Sequence, residues 1–352
     1  MQAKISRAWV TIAAAAASAS ALALLGGTAA VAAPAAPSVE ISIEQQSRAL
    51  SRASDAVLGL QVRAVEDARS ARTLGARRQG SGVLIGTDGL VLTIGYLILE
   101  AEQVELVTDD DRRIPARVVG YDVATGFGLV QALAPLRLAP APLGEAALLQ
   151  PSEPLIIVSG GEEGEVGPTR LASRRGFSGY WEYHVDGALF TAPARADHSG
   201  AGLFNMKGEL VGIGSLVVND AFGADGARVA GNMFVPIDLL KPVLAEIRER
   251  GSSLASARAW MGVNCAEFGE GLRIIRVSDD SPADVAGLQA GDRIVGIDGA
   301  AVARLEELWK RLWAGASAER EVRLEIERDG QRQTLSVQTV DRAKTLRRAQ
   351  GI

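Results

Sequence analysis

The sequence predicts a mostly β chain in two folded parts, a double β-barrel followed by a smaller α+β domain. Three observations carry this expectation. Between residues 81 and 214, short runs rich in apolar and β-branched residues alternate with turn signals such as Thr87-Asp88-Gly89, Asp109-Asp110-Asp111 and Lys207-Gly208-Glu209. That is the rhythm of closed all-β folds. Within residues 239–250, Leu240, Val243, Leu244 and Ile247 fall at helical spacing and Gly251 supplies the stop. Residues 252–259 read as a linker, after which strand-like runs resume with two short helical patterns. A length of 352 residues exceeds one typical domain, and 47% hydrophobic with 22% charged residues suits a globular chain with a sizeable core.

The first element is a leader. Lys4 and Arg7 precede an apolar stretch from about Ala8 to Leu25, and small residues run through Ala30-Val31-Ala32-Ala33 to Pro34. This is the three-part order of an export signal over residues 1–33. Export places the body in the periplasm or wider cell envelope. The alternative is an uncleaved leader that anchors the chain, since spanning a membrane needs ~20 apolar residues. With Cys265 as the one cysteine, no internal disulfide can form, and its place in an apolar run suggests a small buried residue. The net charge of −5 becomes more negative once Lys4 and Arg7 leave, which disfavours a nucleic-acid partner because phosphate binding wants a basic face.

Residues 34–79 contain no Phe, Tyr or Trp and read as an N-terminal segment and loop around the strand-like stretch 56–62. Three blocks then carry candidate chemistry. Gly80-Ser81-Gly82-Val83-Leu84-Ile85 leads through Asp88-Gly89-Leu90-Val91-Leu92-Thr93-Ile94-Gly95 to Tyr96. Val118-Val119-Gly120-Tyr121-Asp122-Val123-Ala124-Thr125-Gly126-Phe127-Gly128-Leu129 forms the second block. The third, Asp197-His198-Ser199-Gly200-Ala201-Gly202-Leu203-Phe204-Asn205, sets Ser199 in a nucleophile-type turn, with Lys207-Gly208-Glu209-Leu210-Val211-Gly212-Ile213-Gly214 after it.

In order and spacing these blocks resemble the HtrA (Deg) family of trypsin-like serine proteases with PDZ domains. The resemblance implies a chymotrypsin/trypsin-like double β-barrel over residues 38–250, with Ser199 at the nucleophile position. It also implies that the catalytic histidine position is held by Tyr96 and the aspartate position by Gly126. A serine hydroxyl is a poor nucleophile until a base takes its proton and a third group orients that base. The chain is therefore expected to be a catalytically defective, pseudoprotease member.

The turn itself departs from the family's Gly-Asn-Ser-Gly-Gly-Pro. Asp197 and His198 occupy the oxyanion positions, and Ala201-Gly202 replaces Gly-Pro. A carboxylate beside developing negative charge is expected to repel it, and a side chain there to block the backbone shape of a glycine. No substitute base is apparent. His198 adjoins the serine, and His184, in Tyr180-Trp181-Glu182-Tyr183-His184-Val185-Asp186, reads as a satisfied strand or loop residue. Tyr96, with an ordinary pKa of ~10, stays protonated at neutral pH and is expected to fill the space of the missing imidazole. Ser159-Gly160-Gly161-Glu162-Glu163-Gly164-Glu165 reads as a solvated turn or as an acidic filter for approaching peptides. No metal or cofactor is expected, because the two histidines lack ligand spacing and Asp109-Asp110-Asp111 lacks the rest of a calcium loop.

The C-terminal part contains Trp260-Met261-Gly262-Val263, Gly271-Leu272-Arg273-Ile274-Ile275-Arg276-Val277, Ser281-Pro282-Ala283-Asp284 and Gly291-Asp292-Arg293-Ile294-Val295. It resembles a bacterial PDZ domain over residues 257–340. Ser281, Pro282 and Asp284 predict a capped short helix ending at Gly287. A second helix from Leu305 to Trp313 aligns Leu305, Leu308 and Leu312, expected as one groove wall. The resemblance makes Trp260, Met261, Gly262 and Val263 the carboxylate-binding loop, whose N–H groups capture a peptide C-terminus while the peptide adds a strand. Residues 341–352 form a basic tail, whose end Gln350-Gly351-Ile352 has the chemistry to compete for that groove.

The expected function is an exported pseudoprotease-PDZ protein that binds peptide C-termini or unfolded protein segments, in a chaperone-like or quality-control role. Two other readings share the same residues: a regulatory partner of an active HtrA-type protease, and a serine endopeptidase with unusual or residual activity.

Overall fold

The computed structural model describes residues 43–161, 164–269, 271–315 and 317–347. The proposed leader, the chain end 350–352, Glu162 and Glu163 lie outside the described residues. The first closed barrel consists of β1 (Val57–Ala64), β2 (Arg77–Leu84), β3 (Leu90–Ile94), β4 (Ala101–Val107), β5 (Arg113–Tyr121) and β6 (Phe127–Ala132), in the order β1-β2-β3-β6-β5-β4. The second, β10-β11-β12-β9-β8-β7, is built from β7 (Pro154–Val158), β8 (Val166–Ser178), β9 (His184–Ala192), β10 (Gly202–Phe204), β11 (Leu210–Val218) and β12 (Gly231–Pro236). One hydrophobic cluster joins Leu58, Leu92 and Phe127 of the first barrel to Phe190, Ile213 and Met233 of the second. The two barrels therefore share one close-packed core.

The stretch expected as an N-terminal segment and loop is mostly regular structure. Helix α1 (Ile43–Asp55) buries Leu50 and Ala53, β1 closes the barrel by pairing with β2 and β4, and a single turn, α2 (Ala71–Leu74), precedes β2. Only those two side chains of α1 are buried, so its apolar stripe is too thin to stand out in sequence. After the barrels, α4 (Leu244–Arg250) follows the one-turn α3 (Gly95–Ile98) in chain order and starts later than its periodicity predicts. A 3₁₀ turn at Ile237–Leu239 comes first, and Gly251, at φ 84°, ends α4 by donating its N–H to the Ile247 carbonyl.

The linker at 252–259 is anchored. Asp122 is wholly buried and its carboxylate accepts from the Ser253 N–H at 3.2 Å, the Ser253 and Ser256 hydroxyls at 2.5 Å each, the Thr125 N–H at 2.9 Å and the Thr125 hydroxyl at 2.6 Å. Burial alone would raise this carboxyl, but the bonds from Ser253, Ser256 and Thr125 outweigh it and hold the group below its usual value.

The C-terminal part has its own core, with β14 (Val263–Phe268), β15 (Gly271–Val277), β16 (Arg293–Ile297), β18 (Glu321–Arg328) and β19 (Gln331–Gln338) in one sheet and β17 (Ala300–Ala301) paired to β16. Helix α5 (Pro282–Val285) is capped by the Ser281 hydroxyl, which accepts from the Asp284 N–H; the Asp284 carboxylate accepts from the Asp280 N–H instead of closing a reciprocal box. Helix α6 spans Leu305–Trp313 and buries Leu305, Leu308, Trp309 and Leu312. Strands β13 (Ala259–Trp260) and β20 (Val340–Asp341) pair, and the Arg347 N–H reaches the Glu100 carboxylate at 2.8 Å, so the described part of the basic tail folds back on the first barrel. Among the described residues, no helix is long and apolar enough to cross a membrane.

Candidate functional site

The serine turn is pinned by close backbone packing. The Ser199 carbonyl accepts from the Ser81 N–H at 2.8 Å, the Gly200 N–H donates to Gly214, and the Ala201 N–H to His198. A Cβ on Gly200, which has φ 74°, would lie 2.0 Å from the Ser81 carbonyl oxygen, so only glycine fits this crossing. Tyr96 stands opposite on α3. Gly95 allows that helix to approach, since a Cβ there would meet the Tyr121 ring at 2.1 Å. The buried Arg78 holds the helix end by donating to the Tyr96 carbonyl at 3.0 Å and the Leu99 carbonyl at 2.7 Å.

Tyr96 Oη sits 2.8 Å from Ser199 Oγ and 2.9 Å from the Ser215 carbonyl. The carbonyl can only accept, so when the phenolic proton points there the serine hydroxyl donates to Tyr96. Burial pushes the phenol up to about 12, with the Ser199 bond acting in the opposite sense. A protonated phenol cannot take the serine proton at neutral pH.

Gly126 lies beside this helix, its carbonyl accepting from the Gly95 N–H at 2.7 Å. Its φ is 84°, and a Cβ would stand 2.6 Å from Tyr183 Oη, which donates to the Thr125 carbonyl at 2.8 Å. A buried tyrosine thus occupies the room a carboxylate would need. Tyr183 was not foreseen from the sequence.

Asp197 departs from the sequence expectation. Its carboxylate turns away from Ser199 to Ser159 and to Arg195, whose Nε donates at 3.0 Å and whose Nη2 also bonds it. Burial would raise this carboxyl, but bonds from Arg195 and Ser159 outweigh it and hold it below its usual value. The charge is therefore neutralised by Arg195 rather than aimed at the serine. Glu165 of the acidic turn also pairs with Arg195, at 3.2 Å.

Neither histidine serves Ser199. His198 Nδ1 faces the Arg195 and Ala196 carbonyls, both at 3.1 Å, and burial lowers its pKa. His184 Nδ1 meets Ser178 Oγ at 2.8 Å. Sequence spacing did not reveal that His184, Asp186 and Glu306 bring ligand atoms within 4.8 Å of one another. Lys310 lies on this cluster, 3.2 Å from Asp186 and 2.7 Å from Glu306, and bridges the two domains.

The N–H groups of the loop at Met261–Val263 are bonded from within the chain. Glu182, 5% exposed, accepts from the N–H groups of Met261 at 3.0 Å, Gly262 at 2.7 Å and Val263 at 3.0 Å. Trp181 forms an antiparallel bridge with Asn264, the Cys265 N–H donates to the Tyr180 carbonyl at 2.6 Å, and Trp309 Nε1 donates to the Gly179 carbonyl at 3.0 Å. Leu305, Leu308 and Leu312, expected as groove wall, are buried in the core of the domain, and Trp309 of α6 bonds the segment that precedes Glu182.

These features define a trypsin-like double barrel joined to a PDZ domain. Residues 80–213 match the trypsin-like peptidase domain model and residues 259–339 the PDZ domain model. The combination is of the HtrA/DegP type. Among relatives, "Probable periplasmic serine endoprotease DegP-like" of Marinomonas sp. (strain MWYL1) is 30% identical over 288 residues, covering 73% of this chain and 56% of the relative. The protein of the same name from Pseudomonas putida (strain W619) is 29% identical over 285 residues, covering 76% and 57%. The chain thus spans little more than half the length of these relatives. In structure it is similar to the HtrA-type protease AlgW with decapeptide, at TM-score 0.53 and 20% identity over 84% of this chain and 98% of that one. It is also similar to the serine endoprotease from Yersinia pestis, at TM-score 0.52 and 22% identity over 86% and 99%.

Proposed function

We propose that this chain acts in the periplasm as a catalytically silent, protease-shaped protein whose PDZ domain binds peptide C-termini or unfolded segments. The observation that carries the reading is the 2.8 Å contact of Tyr96 Oη with Ser199 Oγ, a protonated phenol where the general base should stand. Gly126 and Tyr183 add to it, since no carboxylate occupies the orienting position. The periplasmic names of the relatives and the leader-like residues 1–33 support the location. Capturing a C-terminus needs only backbone N–H groups and a strand edge, so that capacity survives the loss of the catalytic side chains.

The test is turnover of unfolded casein by the full chain beside its Ser199→Ala variant. Equal, background rates are expected; cleavage lost only in the variant would contradict the proposal. The relatives' names favour a second reading, a serine endopeptidase with residual activity, which that outcome would support. A role beside an active HtrA-type protease predicts co-purification of such an enzyme from envelope extract.

A further inference from the structure

Glu182 is a buried carboxylate that no catalytic argument uses. Its three donors, the N–H groups of Met261, Gly262 and Val263, are those expected to hold a peptide's terminal carboxylate. The residues before it meet β14 through an isolated antiparallel bridge, at the edge where an added strand would lie. Tyr180 faces Cys265 and Trp181 faces Asn264, so the segment runs toward the loop with the polarity of a bound peptide. The chain cannot end here, because it continues into Tyr183 and β9. A side-chain carboxylate therefore stands where an α-carboxylate would.

The segment is built for this position. A Cβ on Gly179 would lie 2.9 Å from the Trp181 ring, so the bend entering the groove needs glycine. Trp181 stacks on Tyr183 with centroids 5.7 Å apart and planes 9° from parallel, and Tyr183 is tethered to Thr125 in the barrel.

We propose that residues 179–182 are a built-in ligand of the PDZ groove, and that a partner peptide with a free C-terminal carboxylate enters by displacing Glu182. This rests on the reading of the groove as a carboxylate site. The apparent affinity for an outside peptide is then reduced by the fraction of molecules whose groove is open.

The test uses the full chain, its Glu182→Ala variant and the neutral isostere Glu182→Gln. A hexapeptide ending in Val is titrated by calorimetry as free acid and as amide, and hydrogen exchange is followed at the Met261, Gly262 and Val263 amides. The proposal expects the free acid to bind Glu182→Ala at least ~10-fold more tightly than wild type. It expects the amide to bind neither, and the three amides to lose protection in the variant. Glu182→Gln should shift in the same direction and keeps the side chain's volume if the alanine variant folds poorly. Equal free-acid affinity in all three proteins, with protection unchanged, would overturn the built-in ligand while leaving the carboxylate reading intact. Loss of protection without free-acid binding to any protein would uphold the built-in ligand and contradict the carboxylate reading for outside peptides.

Discussion

A Cβ added to Gly126 would stand 2.6 Å from the hydroxyl of Tyr183. This makes restoration of activity harder than replacing two residues. Tyr96→His with Gly126→Asp should give no casein turnover, because the new carboxylate has no room beside Tyr183 and Asp197 still sets a side chain where the family's turn has glycine. Gly126→Asp alone should cost about 1–3 kcal/mol in urea unfolding, from the φ of 84° and the contact with Tyr183. Any measurable rate should require Tyr183→Ala, Asp197→Gly and Ala201→Gly as well. Efficient cleavage by the double variant would refute this view of the site.

Tyr96→Phe separates filling space from activating the serine. It leaves the Ser215 carbonyl and Ser199 hydroxyl without their shared partner, so stability should fall by ~1 kcal/mol. Reactivity at Ser199 should not change. Thermal unfolding and intact mass after treatment with an active-site phosphonate check the two halves.

Asp122 belongs to the linker rather than to Ser199. Asp122→Ala should lower stability by about 2–4 kcal/mol by stranding buried donors of Thr125, Ser253 and Ser256. Because its folded pKa lies below the unfolded value near 3.8, its contribution is present above that value and is lost as pH falls through the lower folded one. Acid unfolding of Asp122→Asn should therefore be less steep below about pH 4 than that of wild type.

Glu182 titrates in the opposite sense. Burial pushes its carboxyl up to about 7 against the N–H groups of Val263, Met261 and Gly262 and the field of Arg342; the buried Cys265 thiol also faces it. Gly262 and Val263 donate to Oε1 and Met261 reaches both oxygens, Oε2 at 3.0 Å and Oε1 at 3.2 Å, so a proton on Oε2 weakens one of these bonds and leaves the segment docked through Oε1. A raised folded pKa means that docking is favoured at low pH and weakens as pH rises through about 7. Free-acid peptide should thus bind wild type more tightly at pH 8 than at pH 6, and Glu182→Ala should show no such slope.

Local chemistry made much of this molecule legible. The strand runs with Asp-Gly and Lys-Gly turns, Ser281 as an N-cap and α6 between Leu305 and Trp313 are all written in neighbouring residues. The helix α1 was not, because Leu50 and Ala53 give too little apolar periodicity. At the serine turn, the type of Asp197 was visible, but its partners decide its charge, and Ser159 lies 38 residues away. Glu182 meets Gly262 across 80 residues, a pairing no spacing rule supplies. The available signal was compositional: an acidic residue set among Tyr180, Trp181 and Tyr183 has to find donors if its neighbours are buried.

The central claim is that Ser199 has no base. Exposure of the full chain to a fluorophosphonate at neutral pH, followed by intact mass, tests it directly, since the reagent reports an activated serine whatever the substrate. The account predicts no adduct and identical spectra for wild type and Ser199→Ala. An adduct on wild type that disappears in Ser199→Ala would contradict it.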